Sequence, residues 1–210
     1  MSAAAVAAVA AAGHREIAGE LEALATRLRE STVRIHTSRG RFDGVGAGVI
    51  WRLTSQSVAI VTNFHVVPHG RGDHVSVEGT RGRVVDGTVI ARDREHDLAL
   101  VTLDVTPDEV TGATLGSART LRVGELVVAV GHPFGVAGSL SVGVVHAVPN
   151  GDEGLVRADI RLAPGNSGGP LATLDGAIVG INCMIARGLG IAIPAHVADR
   201  FVREALGVPT

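Results

Sequence analysis

The spacing of hydrophobic positions near the N-terminus predicts a helix. Between residues 14 and 30, Ile17, Leu21, Leu24 and Leu28 recur at steps of four, three and four. This spacing places the four side chains on one helical face, with charged residues around it. We interpret the helix as one that packs on the body of the protein, with an oligomer contact as the alternative.

From Val33 onward, short runs rich in Val and Ile alternate with Gly, Asp, Asn and Pro. About ten such runs, VGAGVIW, SVAIVTN and LALVTLD among them, predict short strands of a sandwich or barrels and not a parallel βαβ fold. Residues 103–121 have little strand character and divide the strands into two comparable sets. Helical spacing returns only near the end, at Val197, Phe201, Val202 and Leu206. The pattern predicts an all-β fold of two lobes with a helix at each end.

The composition narrows the classes of partner. Of the 210 residues, 46% are hydrophobic and only 2% aromatic, so the core must consist of Val, Leu, Ile and Ala. The formal net charge of −2 gives no basic footprint for nucleic acid. The lone Cys183 excludes an internal disulfide. No apolar run reaches the ~18 residues that a membrane span requires.

The first residues, MSAAAVAAVAAAG, end in an Ala-x-Ala pattern, as secretory signals do. They lack the positively charged start of a signal peptide, and their apolar character comes from Ala and Val without Leu or Phe. We therefore expect a leader of a cytoplasmic protein, with export as the alternative if the segment is a signal peptide.

The stretch APGNSGGPL, residues 163–171, surrounds Ser167 with three glycines and two prolines. A serine hydroxyl attacks a carbonyl only with a base in reach and a group that orients the base. His65 directly follows one predicted strand, and Asp97 directly precedes another. Gly165 lets the N–H groups of Gly165 and Ser167 point at one spot, where each is worth on the order of 3 kcal/mol to a tetrahedral transition state. The order His, Asp, Ser indicates nucleophilic catalysis.

Five motifs in chain order, TNFHVV, HDLALV, AVGHPFG, GNSGGP and GIAIP, resemble the HtrA/Deg-type branch of the chymotrypsin-fold serine proteases. The resemblance covers roughly residues 33–207. It implies an all-β fold of two six-stranded antiparallel β-barrels, at about 33–105 and 120–195, followed by a C-terminal helix. Residues 1–32 would form the leader and amphipathic helix, and residues 33–210 a trypsin-like serine protease domain.

The resemblance also implies a role for each site residue. His65 would be the general base and then the acid, Asp97 its orienter and Ser167 the nucleophile that forms an acyl-enzyme. Backbone N–H groups of Gly165 and Ser167, with Asn166, would form the oxyanion hole. The implied function is a serine endopeptidase, without cofactor, that cleaves unfolded or partner proteins. The alternative is a catalytically silent module that binds extended peptides.

Alignment to the family's motifs predicts the pocket for the side chain on the acyl side of the cut bond. Leu162, Ile181 and Leu189 fall there, and their apolar side chains favour Val, Ala or Leu in the substrate. Arg161 matches the position at the pocket base in digestive proteases, where it would favour acidic side chains. We interpret it instead as turned towards water. The GINCM stretch would pair with the substrate main chain.

Several departures from the family pattern change the expected regulation. Family members usually carry PDZ domains after the protease domain, and this sequence ends about where they would begin, so we expect no PDZ-gated control. They often trimerise through N-terminal aromatic residues, and none precedes Phe42, so the sequence leaves a homo-oligomer open.

His132 stands where the family commonly has Asn. The histidines other than His65 show no HExxH pattern and no cysteine at zinc-like spacing, so we expect no metal site.

Overall fold

The computed structural model describes residues 3–39, 42–53, 57–68, 74–79, 81–105, 110–149, 151 and 154–208. The elements are α1 (Ala3–Glu30), β1 (Thr32–Arg39), β2 (Phe42–Leu53), β3 (Val58–Thr62), β4 (His74–Glu78), β5 (Val84–Asp93), β6 (Leu98–Leu103), β7 (Leu126–Gly131), β8 (Ser139–Ala147), β9 (Val156–Asp159), β10 (Pro170–Thr173), β11 (Ile178–Ala186), β12 (Leu189–Pro194) and α2 (Ala195–Leu206). Across these described ranges the strands close into two antiparallel barrels, in the orders β1-β2-β3-β6-β5-β4 and β10-β11-β12-β9-β8-β7. The predicted fold class is confirmed.

The first barrel is closed tightly around aliphatic side chains. Val58, Ile60 and Val101 belong to its interior cluster. Gly48 lies so close to this cluster that an added Cβ would come within 2.7 Å of the Ile60 side chain. A six-stranded barrel has little interior space. A large side chain such as that of Ile60 therefore needs a small residue opposite it.

A second apolar layer joins the two barrels. Strand β3 is buried at all five positions because its alternate residues, Ala59 and Val61, leave the first barrel's interior and join the cluster between barrels. Helix α2 contributes Val197 and Val202 to the same cluster. A strand covered on both faces reads as a continuous apolar run, which explains the VAIVT sequence.

Helix α2 and the connection between barrels tie the two halves together through polar bonds. Trp51 Nε1 in β2 donates to Asp199 Oδ1 in α2 at 3.2 Å. Along the connection, Ala113 N–H donates to the Ile50 carbonyl of the first barrel at 2.8 Å. The next residue, Thr114, accepts from Ile178 N–H of the second barrel, also at 2.8 Å. The segment predicted as a linker therefore contacts both barrels.

Among residues 13–30 of helix α1, whose burial the structure describes, the buried ones lie near the C-terminal end. Leu24 and Leu28 are 2% and 3% exposed and belong to the cluster between barrels, whereas Ile17 is 64% exposed. The predicted apolar stripe is therefore buried at its end and open at its start. Within the described residues, neither helix is long and apolar enough to cross a membrane.

The docking of α1 can be tested with Leu24→Ala. Removing a fully buried leucine side chain should lower the free energy of unfolding by about 2–5 kcal/mol, because the cavity that remains is only partly refilled. Chemical denaturation measures this change. The matched control is Ile17→Ala on the same stripe, which should change stability by less than about 0.5 kcal/mol. Equal small effects of both variants would mean that the helix does not pack as described.

Candidate active site

Asp97 holds His65 in one orientation through two hydrogen bonds. The His65 ring Nδ1 lies 2.7 Å from Asp97 Oδ2, and His65 backbone N–H donates to Oδ1 at 3.0 Å. Because an ionised carboxylate can only accept, Nδ1 carries the proton and Nε2 keeps its lone pair. The two residues predicted as base and orienter therefore lie in direct contact.

The turn before Asp97 fixes where its carboxylate points. Asp97 itself has φ +54°, a left-handed conformation that Asp tolerates better than most residues. Asp93 Oδ1 accepts from the backbone N–H groups of Glu95 and His96 at 2.9 and 3.1 Å. Burial opposes ionisation of Asp93, but hydrogen bonds from His96 and Glu95 outweigh it and lower the pKa of the carboxyl group. Asn63 Nδ2 donates to the Asp97 carbonyl at 2.9 Å and so joins this turn to the segment that carries His65.

Ser167 lies between β9 and β10, in a loop pressed against the first barrel. Ala47 N–H donates to the Ser167 carbonyl at 2.8 Å. Gly168 has φ +85°, and a Cβ there would collide with the Ala47 carbonyl, so only glycine fits. The Ser167 hydroxyl donates to the Cys183 carbonyl at 3.3 Å. The second barrel thus presents the serine at the seam with the barrel that carries His65 and Asp97.

Two backbone N–H groups beside Ser167 are available for a ligand. In the part of the chain that the structure describes, the amides of Gly165 and Ser167 donate to no acceptor. Gly165 has φ +102°, and a Cβ there would collide with the His132 carbonyl. Asn166 N–H, by contrast, donates to the Ala163 carbonyl at 2.9 Å. The Asn166 amide is therefore engaged, which removes it from the predicted oxyanion hole.

A cavity of about 260 Å³ opens next to Ser167. Its walls include Leu162, Pro164, Asn182, Cys183, Met184 and Ile185. Leu162 is the one residue of the predicted pocket that lines it. A larger cavity, of about 570 Å³, lies at the end of the first barrel near Val77 and Leu103 and shares no residue with this one.

Three of the predicted pocket residues lie elsewhere. Ile181 is fully buried and pairs with Pro170 and Ile193 in the middle of the second barrel's sheet, so it belongs to the core and not to the pocket. Leu189 is half-buried and packs against the cluster between barrels. Arg161 is exposed and lies outside the lining of the cavity. Met184 and Ile185, which are exposed, take the place of Ile181 and Leu189.

Cys183 borders the site without being reactive. Its Sγ donates to the Ile191 carbonyl at 3.4 Å, and the residue is 4% exposed. Burial, together with the charge of Asp97, raises the pKa of the thiol to about 12. The thiol stays protonated at neutral pH and is a poor nucleophile.

His132 supports the loop that carries the free amides. Its backbone N–H donates to the Gly165 carbonyl at 2.9 Å, and its ring Nδ1 accepts from Gly138 N–H at 3.2 Å. Burial, and then the charge of Arg34, lowers the pKa of the ring to about 4. The sequence singled out His132 because Asn is common there, but nothing in its pattern could reveal these partners. Within the described residues no cluster of His, Cys, Asp or Glu could hold a metal ion.

The family of trypsin-like peptidase domains matches residues 46–181, which include His65, Asp97 and Ser167. The chain belongs to this family. Among solved structures, this trypsin-like domain is similar to the HtrA-type protease AlgW with tripeptide, with a TM-score of 0.76 and 28% identity over 87% of this chain and 62% of that one. A serine endoprotease from Yersinia pestis gives 0.75 and 26% over 87% and 65%.

Curated relatives point to the same branch. The periplasmic pH-dependent serine endoprotease DegQ of Escherichia coli is 32% identical over 177 residues, which are 79% of this chain and 38% of DegQ. The magnetosome formation protease MamE of Magnetospirillum gryphiswaldense is 35% identical over 184 residues, 80% of this chain and 23% of MamE. The trypsin-like domain thus spans less than half the length of these relatives. The predicted resemblance to HtrA/Deg-type proteases is confirmed.

The predicted cytoplasmic location is wrong. DegQ, the do/HhoA-like protease of Haemophilus influenzae and DegP of Salmonella typhimurium are all periplasmic proteins. The prediction relied on the missing positive charge and the missing Leu and Phe in the Ala-rich segment. These features concern the first residues only. Neither the fold nor the arrangement of the site residues indicates the cellular compartment.

The neutral state of His132 predicts a pH dependence of stability. Its folded pKa of about 4 lies below the ordinary value of 6.5. As the pH falls below about 6.5, the unfolded chain takes up a proton that the folded chain refuses, so stability decreases down to about pH 4. The loss from this group is up to roughly 3 kcal/mol. Above about pH 7.5 the group has no such effect.

Denaturant unfolding at fixed pH values measures this loss. His132→Asn keeps an oxygen that can accept from Gly138 N–H but cannot titrate, so its stability should fall less steeply between pH 7 and 5. His74→Asn at an exposed position is the control and should keep the wild-type slope. The same slope in wild type and His132→Asn would contradict the neutral, buried state of His132.

Proposed function

We propose that the trypsin-like domain is a serine endopeptidase that hydrolyses peptide bonds of extended polypeptides through His65, Asp97 and Ser167. The observation that carries the proposal is the two-point contact between the Asp97 carboxylate and His65, with Nδ1 to Oδ2 at 2.7 Å. A module that only binds peptides has no need for an imidazole held in one tautomer. An acyl-transfer enzyme needs it.

The chemistry proceeds through an acyl-enzyme. The Ser167 hydroxyl turns from the Cys183 carbonyl to His65 Nε2, which takes the proton as Oγ forms a bond to the substrate carbonyl carbon. The N–H groups of Gly165 and Ser167 stabilise the resulting oxyanion. His65 then gives the proton to the leaving amine as the C–N bond breaks. Water, deprotonated by His65, releases the acyl group by the same route.

Strand β11 offers a place for the substrate main chain. Its pairing with β12 shifts between Asn182 and Met184, and Cys183 lies in this irregularity. The Cys183 carbonyl accepts a hydrogen bond from the Ser167 hydroxyl. Once that hydroxyl turns to His65, the carbonyl can accept an N–H of the substrate in the manner of an added strand.

The cavity beside Ser167 supports a preference for aliphatic side chains on the acyl side of the cut bond. Leu162, Met184 and Ile185 supply apolar walls, and no charged side chain lines the cavity among the residues described. Contact with one or two methylene groups discriminates by only ~1–3 kcal/mol, so we propose a loose specificity. Because the relatives DegQ and DegP are periplasmic, we also propose that the chain works outside the cytoplasm.

Labelling with a fluorophosphonate tests the nucleophile without knowledge of the substrate. The reagent should add to Ser167 alone, as located by peptide mass spectrometry, because the base and the two N–H donors activate only this hydroxyl. Ser167→Ala should remain folded and take no label. Ser117→Ala, which removes a hydroxyl between the barrels, is the control and should label like wild type. A folded wild-type protein without adduct would favour the peptide-binding module instead.

Cleavage of a peptide library tests the pocket. Cuts should follow Val, Ala or Leu, and Leu162→Phe should reduce cleavage after Leu by roughly tenfold by filling the cavity. Arg161→Glu is the control, since Arg161 lies outside the lining, and it should leave the preference unchanged. Cleavage after acidic residues that disappears in Arg161→Glu would show that the guanidinium faces the pocket.

A further inference from the structure

We infer that Arg29, in the last turn of α1, is a positioning residue for the oxyanion hole. The inference rests on the proposed function and adds a residue outside both barrels to the support of Gly165. Three consecutive links carry it: from the core to α1, from α1 to residues 132–138, and from those residues to the peptide units of the free amides.

Residues 132–138, here called the support loop, form hydrogen bonds with the segment that carries the oxyanion donors. The His132 N–H donates to the Gly165 carbonyl at 2.9 Å, and Phe134 N–H donates to the Pro164 carbonyl at 3.2 Å. The Pro164 carbonyl and the Gly165 N–H belong to one planar peptide unit and therefore turn together, while the Gly165 carbonyl fixes the next unit along the chain. A shift of the support loop therefore moves the Gly165 N–H away from the substrate oxygen.

The support loop has few internal contacts that stabilise its conformation. Residues 134–137 are exposed, so no buried side chain anchors its middle. Phe134 adopts φ +52°, which is unfavourable for a residue other than Gly, Asn or Asp. Two tight-turn bonds, Gly135 N–H to the His132 carbonyl at 3.0 Å and Val136 N–H to the Pro133 carbonyl at 2.9 Å, stay within the loop. Contacts from outside must therefore fix its position.

Arg29 makes the shorter of the two external arginine contacts. Its Nε–H donates to the Gly138 carbonyl at 2.7 Å, and a Cβ on Gly138 would come within 2.8 Å of the same nitrogen. Arg34 Nη1 reaches the Gly135 carbonyl at 3.3 Å, but its guanidinium is also paired with Glu78 at 2.8 Å. Gly138 N–H donates in turn to the His132 ring. The Arg29 contact is thus one step from the residue that holds Gly165.

Helix α1 gives Arg29 a rigid base. Leu28, the preceding residue, and Leu24, one turn earlier, are buried in the cluster between barrels. The guanidinium is partly buried, and its Nε–H has a fixed direction that the ammonium of a lysine lacks. The helix therefore positions the support loop, which positions the Gly165 amide.

The test uses the whole chain and the variants Arg29→Ala and Arg29→Lys. Loss of one oxyanion donor lowers kcat by about 10²–10³-fold, so loss of its support should lower kcat by roughly 10–100-fold in Arg29→Ala. KM for a fluorogenic peptide with Val on the acyl side should stay unchanged. Affinity for a peptide boronic acid, which mimics the tetrahedral adduct, should fall by the same factor as kcat. Arg29→Lys should not restore the wild-type value.

The matched control is Arg27→Ala, which removes the same charge from the same helical turn at an exposed position and should keep wild-type kinetics. If Arg29→Ala destabilises the fold, Arg29→Met replaces it, because methionine keeps most of the aliphatic stem but has no N–H to donate to the Gly138 carbonyl. Wild-type kcat and boronate affinity in Arg29→Ala, or equal losses in Arg27→Ala, would overturn the inference.

Amide hydrogen exchange separates this inference from the proposed function. The His132 amide should exchange about tenfold faster in Arg29→Ala than in wild type and at the wild-type rate in Arg27→Ala. This readout needs no turnover. A wild-type chain that takes no fluorophosphonate refutes the proposed function alone, whereas unchanged exchange at His132 refutes the role of Arg29.

Discussion

The hydrogen bond from Ala47 N–H to the Ser167 carbonyl is the contact on which the rest of the site depends. It joins the serine loop of one barrel to β2 of the other, and the Ala47 carbonyl accepts from the Thr62 hydroxyl at 2.7 Å. Thr62 ends β3, three residues before His65. Two backbone groups of Ala47 and the short side chain of Thr62 therefore link the serine loop to the strand that precedes His65. The absence of a side chain at Gly168 allows this approach.

Burial and pairing divide the titratable groups near the serine into two kinds. Cys183 and His132 are buried and neutral at pH 7, since their pKa values are displaced to about 12 and about 4. Asp97 instead accepts two hydrogen bonds from His65, one from the backbone N–H and one from the ring. The carboxylate of Asp97 therefore interacts with His65. Cys183 and His132 hold neighbouring backbone segments through hydrogen bonds and add no charge to the cleft.

The sequence was sufficient for the fold class, because short strands, turns and their order along the chain are local patterns. The roles of His65 and Asp97 stay predictions, although the two residues lie in contact. The sequence failed at Ile181, since the first six residues of β11 are all buried and their sequence does not distinguish core from pocket. The engaged Asn166 amide and the supporting role of Arg29 depend on contacts across many residues, which no spacing encodes. The predicted boundary at residue 33 stays a prediction, and it would separate Arg29 from the loop that it contacts.

The buried Cys183 gives the molecule an internal reporter. It is the chain's one cysteine, and its thiol is covered by β12 through the contact with Ile191. Because the residue is only 4% exposed, a thiol reagent should react with it mainly after local opening around β11, and the rate of modification then follows that opening. The local stability near Ser167 can thus be measured without introducing a mutation. It can be compared with the global stability from denaturant unfolding.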